Sequence, residues 1–158
     1  MYDKQISETK QKIMNLLVNN ANIVAAIDNP DITDPDDLIY ENLWYSFRIP
    51  PVETEKMTHI CLRCNVTESR DNDTTNNLDI YILIVTHQDL MKVPRDSIAR
   101  GCTRVDYLAG QIETMLNGRQ DLGLKKLRLV SSTEDSTDPR HPCRILRFRG
   151  ACSNKQCM

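Results

Sequence analysis

The sequence predicts an α+β fold, a small and mostly antiparallel sheet of about four strands packed against one long helix and one or two N-terminal helices. Three segments carry apolar residues at helical spacing, and four carry either the alternation or the continuous apolar run of a strand. Their order is helix, helix, loop, strand, strand, helix, strand, strand. Strands joined as hairpins, with helices on one face, make a two-layer α+β domain. The 158 residues fit one domain, 1–158.

Two N-terminal helices account for residues 3–28. Residues 5–18 have an amphipathic stripe, and residues 21–27 form a second, shorter apolar segment. The second helix is predicted to end before Pro30, because proline disfavours the helical conformation at Asn29.

An acidic, proline-rich segment follows, and it ends in a cluster of aromatic residues. Two prolines and the lack of glycine argue against a calcium loop, so the acidic part is interpreted as solvated. The aromatic part is interpreted as a core anchor or a contact surface. The candidate interface residues of the segment are Asp34, Asp36, Asp37, Trp44, Tyr45 and Phe47.

The sheet and its covering helix are predicted within a core at residues 55–150. Residues 57–66 alternate as a half-buried strand, 67–77 form a long polar hairpin connection, and 78–86 form a central strand covered on both faces. The remaining predicted elements are a helix over 103–117 ended by Gly118, strands over 124–130 and 143–149, a mobile acidic linker over 131–141, and a flexible tail over 151–158.

Composition excludes several classes of protein. The net charge of −2 does not suggest a polyanion partner. The sequence contains no stretch of about 20 apolar residues, so no membrane span is predicted. The polar N-terminus lacks the apolar core of a signal peptide, which predicts assembly in a cytosol with the six cysteines reduced.

The sequence gives little evidence of a catalytic site or a metal site. Cys61 and Cys64 have the spacing of a zinc pair, with Cys152 and Cys157 as a second pair, but strand alternation points Cys61 and Cys64 to opposite faces. A nucleophilic pair of Cys61 with His87 is not selected by any spacing. The sequence therefore predicts no enzyme, no metal site, no catalytic residue and no cofactor.

A basic stripe near the C-terminus is the other candidate surface. Its members are Arg140, Arg144, Arg147 and Arg149. Arg147 and Arg149 share one strand face, where they could bind nucleic acid or meet acidic loops of a neighbouring subunit. The acidic chain and the lack of stacking aromatics favour the subunit contact over specific nucleic-acid binding.

Residues 40–131 resemble a group of neck proteins of phages and prophages from Gram-positive hosts. The resemblance is carried by Tyr40-Glu41-Asn42-Leu43-Trp44, Ile49-Pro50-Pro51-Val52-Glu53-Thr54-Glu55, Thr58-His59-Ile60-Cys61-Leu62, Leu83-Ile84-Val85-Thr86-His87-Gln88-Asp89-Leu90-Met91 and Arg104-Val105-Asp106-Tyr107-Leu108-Ala109. These segments look like the "strand, His-x-Asp-Leu, helix" block of tail terminator and tail completion proteins. The cysteine-containing C-terminus is not part of that pattern.

The resemblance implies a structural virion protein without a cofactor or catalytic residue. It implies a homohexameric ring that caps the tail tube, stops tube polymerisation and contacts the head connector or stopper, with the tail sheath as a further partner. Three alternatives stay open: a head-closure or stopper protein, a nucleic-acid-binding module using the Arg140–Arg149 stripe, and a zinc-dependent or thiol enzyme.

Overall fold

The computed structural model describes residues 2–47, 56–68, 75–93 and 101–153, and it confirms the α+β prediction. The helices are α1 (Tyr2–Val18), α2 (Ala21–Ile27) and α3 (Arg104–Leu116), with 3-10 turns at Pro35–Leu38 and Gln88–Leu90. The strands are β1 (Leu43–Trp44), β2 (Thr58–Glu68), β3 (Thr75–Thr86), β4 (Arg128–Asp138) and β5 (His141–Ser153).

The five strands form one sheet in the order β1-β2-β3-β5-β4, so β3 is central, as predicted. All neighbours are antiparallel except β1, which runs parallel to β2 and pairs with it at Ile60 and Cys61. The sequence analysis missed β1 because two residues are too few to show an alternation. The sheet is therefore mixed but mostly antiparallel.

The sheet has a helix-covered face and an opposite face, which we call the open face. The core between sheet and helices includes Ile13, Leu17, Ile60, Leu62, Ile80, Ile82, Ile84, Leu108, Ile112, Leu146 and Phe148. The open face carries a smaller buried cluster of Cys61, Leu83, Val85 and Cys143. Residues from Thr58 to Leu62 of β2 are consequently buried on both faces, which corrects the half-buried interpretation of that strand.

The helix predictions are confirmed to within a few residues. The side chain of Thr103 accepts a hydrogen bond from the Asp106 N–H and so caps α3. Gly118 follows α3 with a φ of +84°, a left-handed conformation in which glycine is favoured. No helix in the described ranges is long and apolar enough to cross a membrane.

The predicted linker over 131–141 is wrong, because most of it belongs to β4. That strand begins at Arg128, four residues later than predicted, and continues to Asp138. Only Pro139 and Arg140 separate β4 from β5. The Ser, Thr and Asp residues of this segment are typical of turns, but β5 gives their backbone an antiparallel partner, with register shifts only between Leu129 and Ser131 and between Ser136 and Asp138.

Two other predicted irregular segments are partly occupied by strands. The connection predicted over 67–77 overlaps the end of β2 and the start of β3, and residues 69–74 lie outside the described part. The tail predicted over 151–158 is wrong for Ala151 to Ser153, because β5 continues through Ser153 by pairing with the start of β3. Residues 154–158 lie outside the described part.

Candidate interaction surfaces

The acidic segment forms an exposed lobe, which we define as residues 28–41. Its six carboxylate residues are all exposed: Asp28, Asp31, Asp34, Asp36, Asp37 and Glu41. Asp34 also caps the 3-10 turn by accepting from the Asp36 N–H at 3.1 Å. A cleft of about 740 Å³ runs along the lobe and is bounded on its other side by Met57 and Leu90. The predicted solvated loop is thus a shaped, negatively charged surface.

A buried arginine holds the beginning of the acidic lobe in place. Arg104 is only 4% exposed, and its guanidinium donates to the Ala26 carbonyl at 2.6 Å. It also donates to the Leu90 carbonyl at 2.6 Å and to the Lys92 carbonyl at 2.9 Å. One side chain therefore joins the end of α2, the segment after β3 and the start of α3.

Two asparagines fix the other end of the lobe. The Asn29 amide donates to the Asn42 side-chain oxygen at 2.9 Å, and the Asn42 amide donates to the Thr58 carbonyl at 2.9 Å. Asn42 is 1% exposed. The lobe is therefore tied to the first residue of β2 as well as to Arg104, so its carboxylates keep a fixed position relative to the sheet.

The structure does not gather the three predicted aromatic residues into one surface. Trp44 and Phe47 pack against the open-face cluster, whereas Tyr45 packs against the main core. The Trp44 indole also donates to His59 Nδ1 at 3.1 Å. These residues thus act mainly in packing, and residues 48–51 of the predicted anchor lie outside the described part.

Among the aromatic residues whose side chains the structure describes, the most exposed is one that the sequence analysis did not select as an interface candidate. Tyr40 is 64% exposed, and its ring contacts Trp44 edge-on with centroids 6.0 Å apart. Its φ of +66° is uncommon for a bulky residue. Periodicity gives no signal for such a residue, since the segment is neither helix nor strand.

Arg147 and Arg149 share the open face as predicted, but both bind one carboxylate. Asp79 is 3% exposed and accepts from Arg147 at 2.9 Å and from Arg149 at 2.8 and 3.2 Å. Burial raises the pKa of Asp79, but the hydrogen bonds and charges of the two arginines hold it below its usual value. Much of the predicted positive charge is therefore neutralised within the chain.

Arg144 lies on the helix-covered face, apart from Arg147 and Arg149. Its guanidinium donates to Asp106 at 3.0 Å and to the Ser132 hydroxyl at 3.0 Å. The four-arginine stripe of the sequence analysis is therefore divided between two faces of the sheet, and three of its members are bound to carboxylates of the same chain.

A basic pocket, also missed from the sequence, lies beside the start of β4, the end of β5 and the start of β3. It has a volume of about 600 Å³ and is lined by Asn77, Asn117, Lys125, Lys126, Arg128, Arg149 and Ala151. Lys125, Lys126 and Arg128 are exposed. Within the described ranges, no carboxylate forms an ion pair with any of these three cations. Their charge is available to a partner.

The cysteine and histidine candidates do not converge. Cys61 lies in the open-face cluster and Cys64 packs against the main core, which confirms that they point to opposite faces. Burial raises the pKa of Cys64 to about 11, although nearby Lys10 lowers it in part, so the thiol stays protonated.

The ring of His87 contacts that of His141 edge-on, with ring centroids 5.4 Å apart. The described residues contain no group of three or more potential metal ligands, and the side chains of Cys152 and Cys157 are not among them.

Trp44→Phe is expected to lower the free energy of unfolding by about 1 kcal/mol, because the aromatic packing stays while the hydrogen bond to His59 is lost. Because Trp44 is the single tryptophan, the variant has no tryptophan fluorescence, so unfolding in urea should be followed by circular dichroism. Tyr81→Phe is a suitable control, since the ring stays beneath the Arg147 guanidinium. A loss as small in Trp44→Phe as in this control would contradict the prediction.

The fold also occurs in the virion of a gene transfer agent. A chain from the structure described as the virion of the native gene transfer agent particle matches with a TM-score of 0.52 and 12% identity. The match covers 90% of this chain and 92% of that chain, so the two share a fold over nearly their whole lengths. No curated protein matches the sequence. A family model described as YomW matches residues 10–149, and the chain therefore belongs to the YomW family.

Proposed function

We propose that this protein is a structural component of a phage virion, and specifically the tail terminator, a ring that caps the tail tube and joins it to the head connector. The observation that carries the proposal is the fold shared with a chain of the gene transfer agent virion over 90% of the present chain. The YomW family is phage-associated, which supports the same assignment. The neck-protein motifs within residues 40–131 favour the terminator over other virion components.

The charge distribution of the described surface suits an assembly protein. This surface carries two clusters of exposed like charges, the acidic lobe and the basic pocket, whereas the buried Asp79 pairs with two arginines of the same chain. A ring of identical subunits needs two different contact surfaces on each copy, related by a rotation that closes. The acidic lobe and the basic pocket are two such distinct surfaces.

The pairing of Arg147 and Arg149 with Asp79 weakens the nucleic-acid alternative. Binding to phosphates requires cations whose charge is not already compensated.

The head-closure or stopper protein is the alternative within the same class of virion proteins, and it differs from the terminator in the partner that it binds. Terminator and stopper are separated by whether the ring attaches to the end of a tail tube.

The purified protein is expected to form closed rings. Six copies of the 18.2 kDa chain have a mass of about 109 kDa, which light scattering during size exclusion distinguishes from the monomer. Negative-stain images of the same fraction should show rings, and adding the fraction to polymerising tail tubes should give shorter tubes with a ring at one end. A chain that stays monomeric at every concentration and leaves tube length unchanged would contradict the proposal.

A further inference from the structure

We propose that copies of this chain bind one another head to tail, with the acidic lobe of one copy seated at the basic pocket of the next. This inference rests on the proposed ring, for which it supplies the subunit contact. The occupant of the basic pocket is therefore a second copy of the same protein, and the groups that recognise it are carboxylates.

The charges of the two surfaces are complementary. Residues 28–41 contain six carboxylate residues and no lysine or arginine. The basic pocket presents Lys125, Lys126 and Arg128, and Arg128 pairs in register with Arg149 on β5. Two arginines on directly opposed strand positions repel each other unless a counter-charge lies nearby. Asp79 provides one carboxylate for Arg149, which leaves the three exposed cations without one in the described part of the chain.

The two surfaces cannot meet within one copy. The cleft along the acidic lobe is bounded by Met57 and Leu90, which lie next to the end of β3 at Thr86. The basic pocket includes Asn77, near the opposite end of β3. Asn77 and Thr86 are nine residues apart on one strand, which corresponds to about 30 Å. The complementary charges are thus satisfied only between copies.

This placement gives the kind of contact that a ring requires. A contact between two different surfaces is heterologous, and it builds a closed ring where the rotation between copies closes and an open chain where it does not. The lobe is held rigidly by Arg104 and Asn42, so little conformational freedom is lost on docking. Exposed ionic contacts set the orientation and speed of association, and salt weakens them.

The structure also changes which basic residues make this contact. The sequence indicates Arg147 and Arg149 as the residues that could meet acidic loops of a neighbouring subunit. Both arginines are bound to Asp79 in the folded chain, so docking on them would compete with existing bonds 2.8–2.9 Å long. Lys125, Lys126 and Arg128 offer uncompensated charge and require no such exchange.

Paired charge reversals test the contact. Lys125→Glu/Lys126→Glu changes the charge of the three exposed pocket residues from +3 to −1, and Asp31→Lys/Asp36→Lys/Asp37→Lys/Glu41→Lys changes the charge of the lobe from −6 to +2, while the turn-capping Asp34 is retained. Each variant alone should self-associate at least about tenfold more weakly than the wild type, because like charges then face each other. An equimolar mixture should assemble again, since each lobe then meets a complementary pocket. Assembly is measured by light scattering and negative-stain imaging.

Two further variants serve as matched controls. Lys4→Glu/Lys92→Glu and Glu8→Lys/Asp121→Lys/Glu134→Lys/Asp135→Lys change the net charge by the same amounts as the pocket and lobe variants, at exposed positions outside both surfaces, and should assemble like the wild type. Circular dichroism of every variant verifies that it is folded. The wild-type assembly should also weaken between 50 mM and 500 mM salt, as expected for an interface that depends on exposed charges.

The outcomes separate this inference from the proposed function. Closed rings in the mixture support both, and open chains or dimers in the mixture support the contact while contradicting the ring. Self-assembly of either charge-reversed variant at wild-type strength overturns the contact and leaves the ring proposal intact. If Lys125→Glu/Lys126→Glu assembles normally but loses binding to a tail tube or connector, the pocket takes that partner and the self-docking inference is wrong.

Discussion

Arg104→Met is expected to lower the free energy of unfolding by about 4 kcal/mol, because it removes three hydrogen bonds donated by a buried cation and leaves carbonyls unsatisfied. The Ala26 carbonyl is the costliest of these, since its hydrogen bond with Arg104 is buried. Methionine fills a similar volume, so the loss reports the hydrogen bonds more than the packing. For a chain of this size the melting temperature should fall by roughly 10 °C.

The measurement is urea denaturation followed by circular dichroism, with Arg119→Met as the control. Arg119 also donates to a carbonyl and an aspartate, Met115 and Asp121, but its side chain is 30% exposed. Its replacement should cost less than about 1 kcal/mol, since water can take over the exposed partners. If Arg104→Met lowers the free energy of unfolding no more than Arg119→Met does, water also reaches the carbonyls beside Arg104. The hydrogen bonds of Arg104 then do not stabilise the fold.

The helices could be predicted because their signals are local. The apolar stripe, the Thr103 cap and the glycine at position 118 all lie within one stretch of chain, and α3 begins and ends beside them. Arg104 is the first residue of that helix, yet nothing nearby indicates its role. Its three carbonyl partners come from two segments distant in sequence, Ala26 at the end of α2 and Leu90 and Lys92 after β3.

The β4–β5 hairpin shows where local chemistry was misleading. Ser131 to Asp138 have the composition of a turn, and side chains of Ser, Thr and Asp compete with the backbone ladder for hydrogen bonds. In the structure these residues lie on an edge strand whose inner neighbour is β5. An edge strand with one exposed side tolerates polar residues, so composition alone does not separate it from a loop.

The candidate surfaces were predicted in part. The acidic lobe was recognised because its carboxylates are contiguous in sequence, whereas the basic pocket combines Lys125 and Lys126 with Asn77 and Ala151 through strand pairing. Asp79 was overlooked because its partners are about 70 residues away, at Arg149. Contacts of that separation depend on strand order, which hydrophobic periodicity does not specify.

Asp79→Asn is expected to lower the free energy of unfolding at neutral pH by about 3 kcal/mol, because in the wild type the Asp79 carboxylate is only 3% exposed and binds two guanidinium groups. An amide cannot replace it, because its oxygen accepts while its NH₂ group would face the donors of Arg147 or Arg149. Asp106→Asn is the matched control. Asp106 binds only Arg144 and its side chain is 32% exposed, so about 0.5–1 kcal/mol is expected there.

The pH dependence identifies the carboxylate charge as the cause. Arg149 and Arg147 lower the pKa of Asp79 below 3.8 in the folded chain despite its burial, so the unfolded chain binds the proton more readily. The stabilisation is therefore complete above about pH 5 and is lost as the pH falls below about 4. Urea denaturation between pH 7 and pH 3 should show the difference between wild type and Asp79→Asn shrinking only in that lower range. A difference that stays constant down to pH 3 would show that packing around residue 79, rather than its ionised carboxylate, holds the two arginines on the open face.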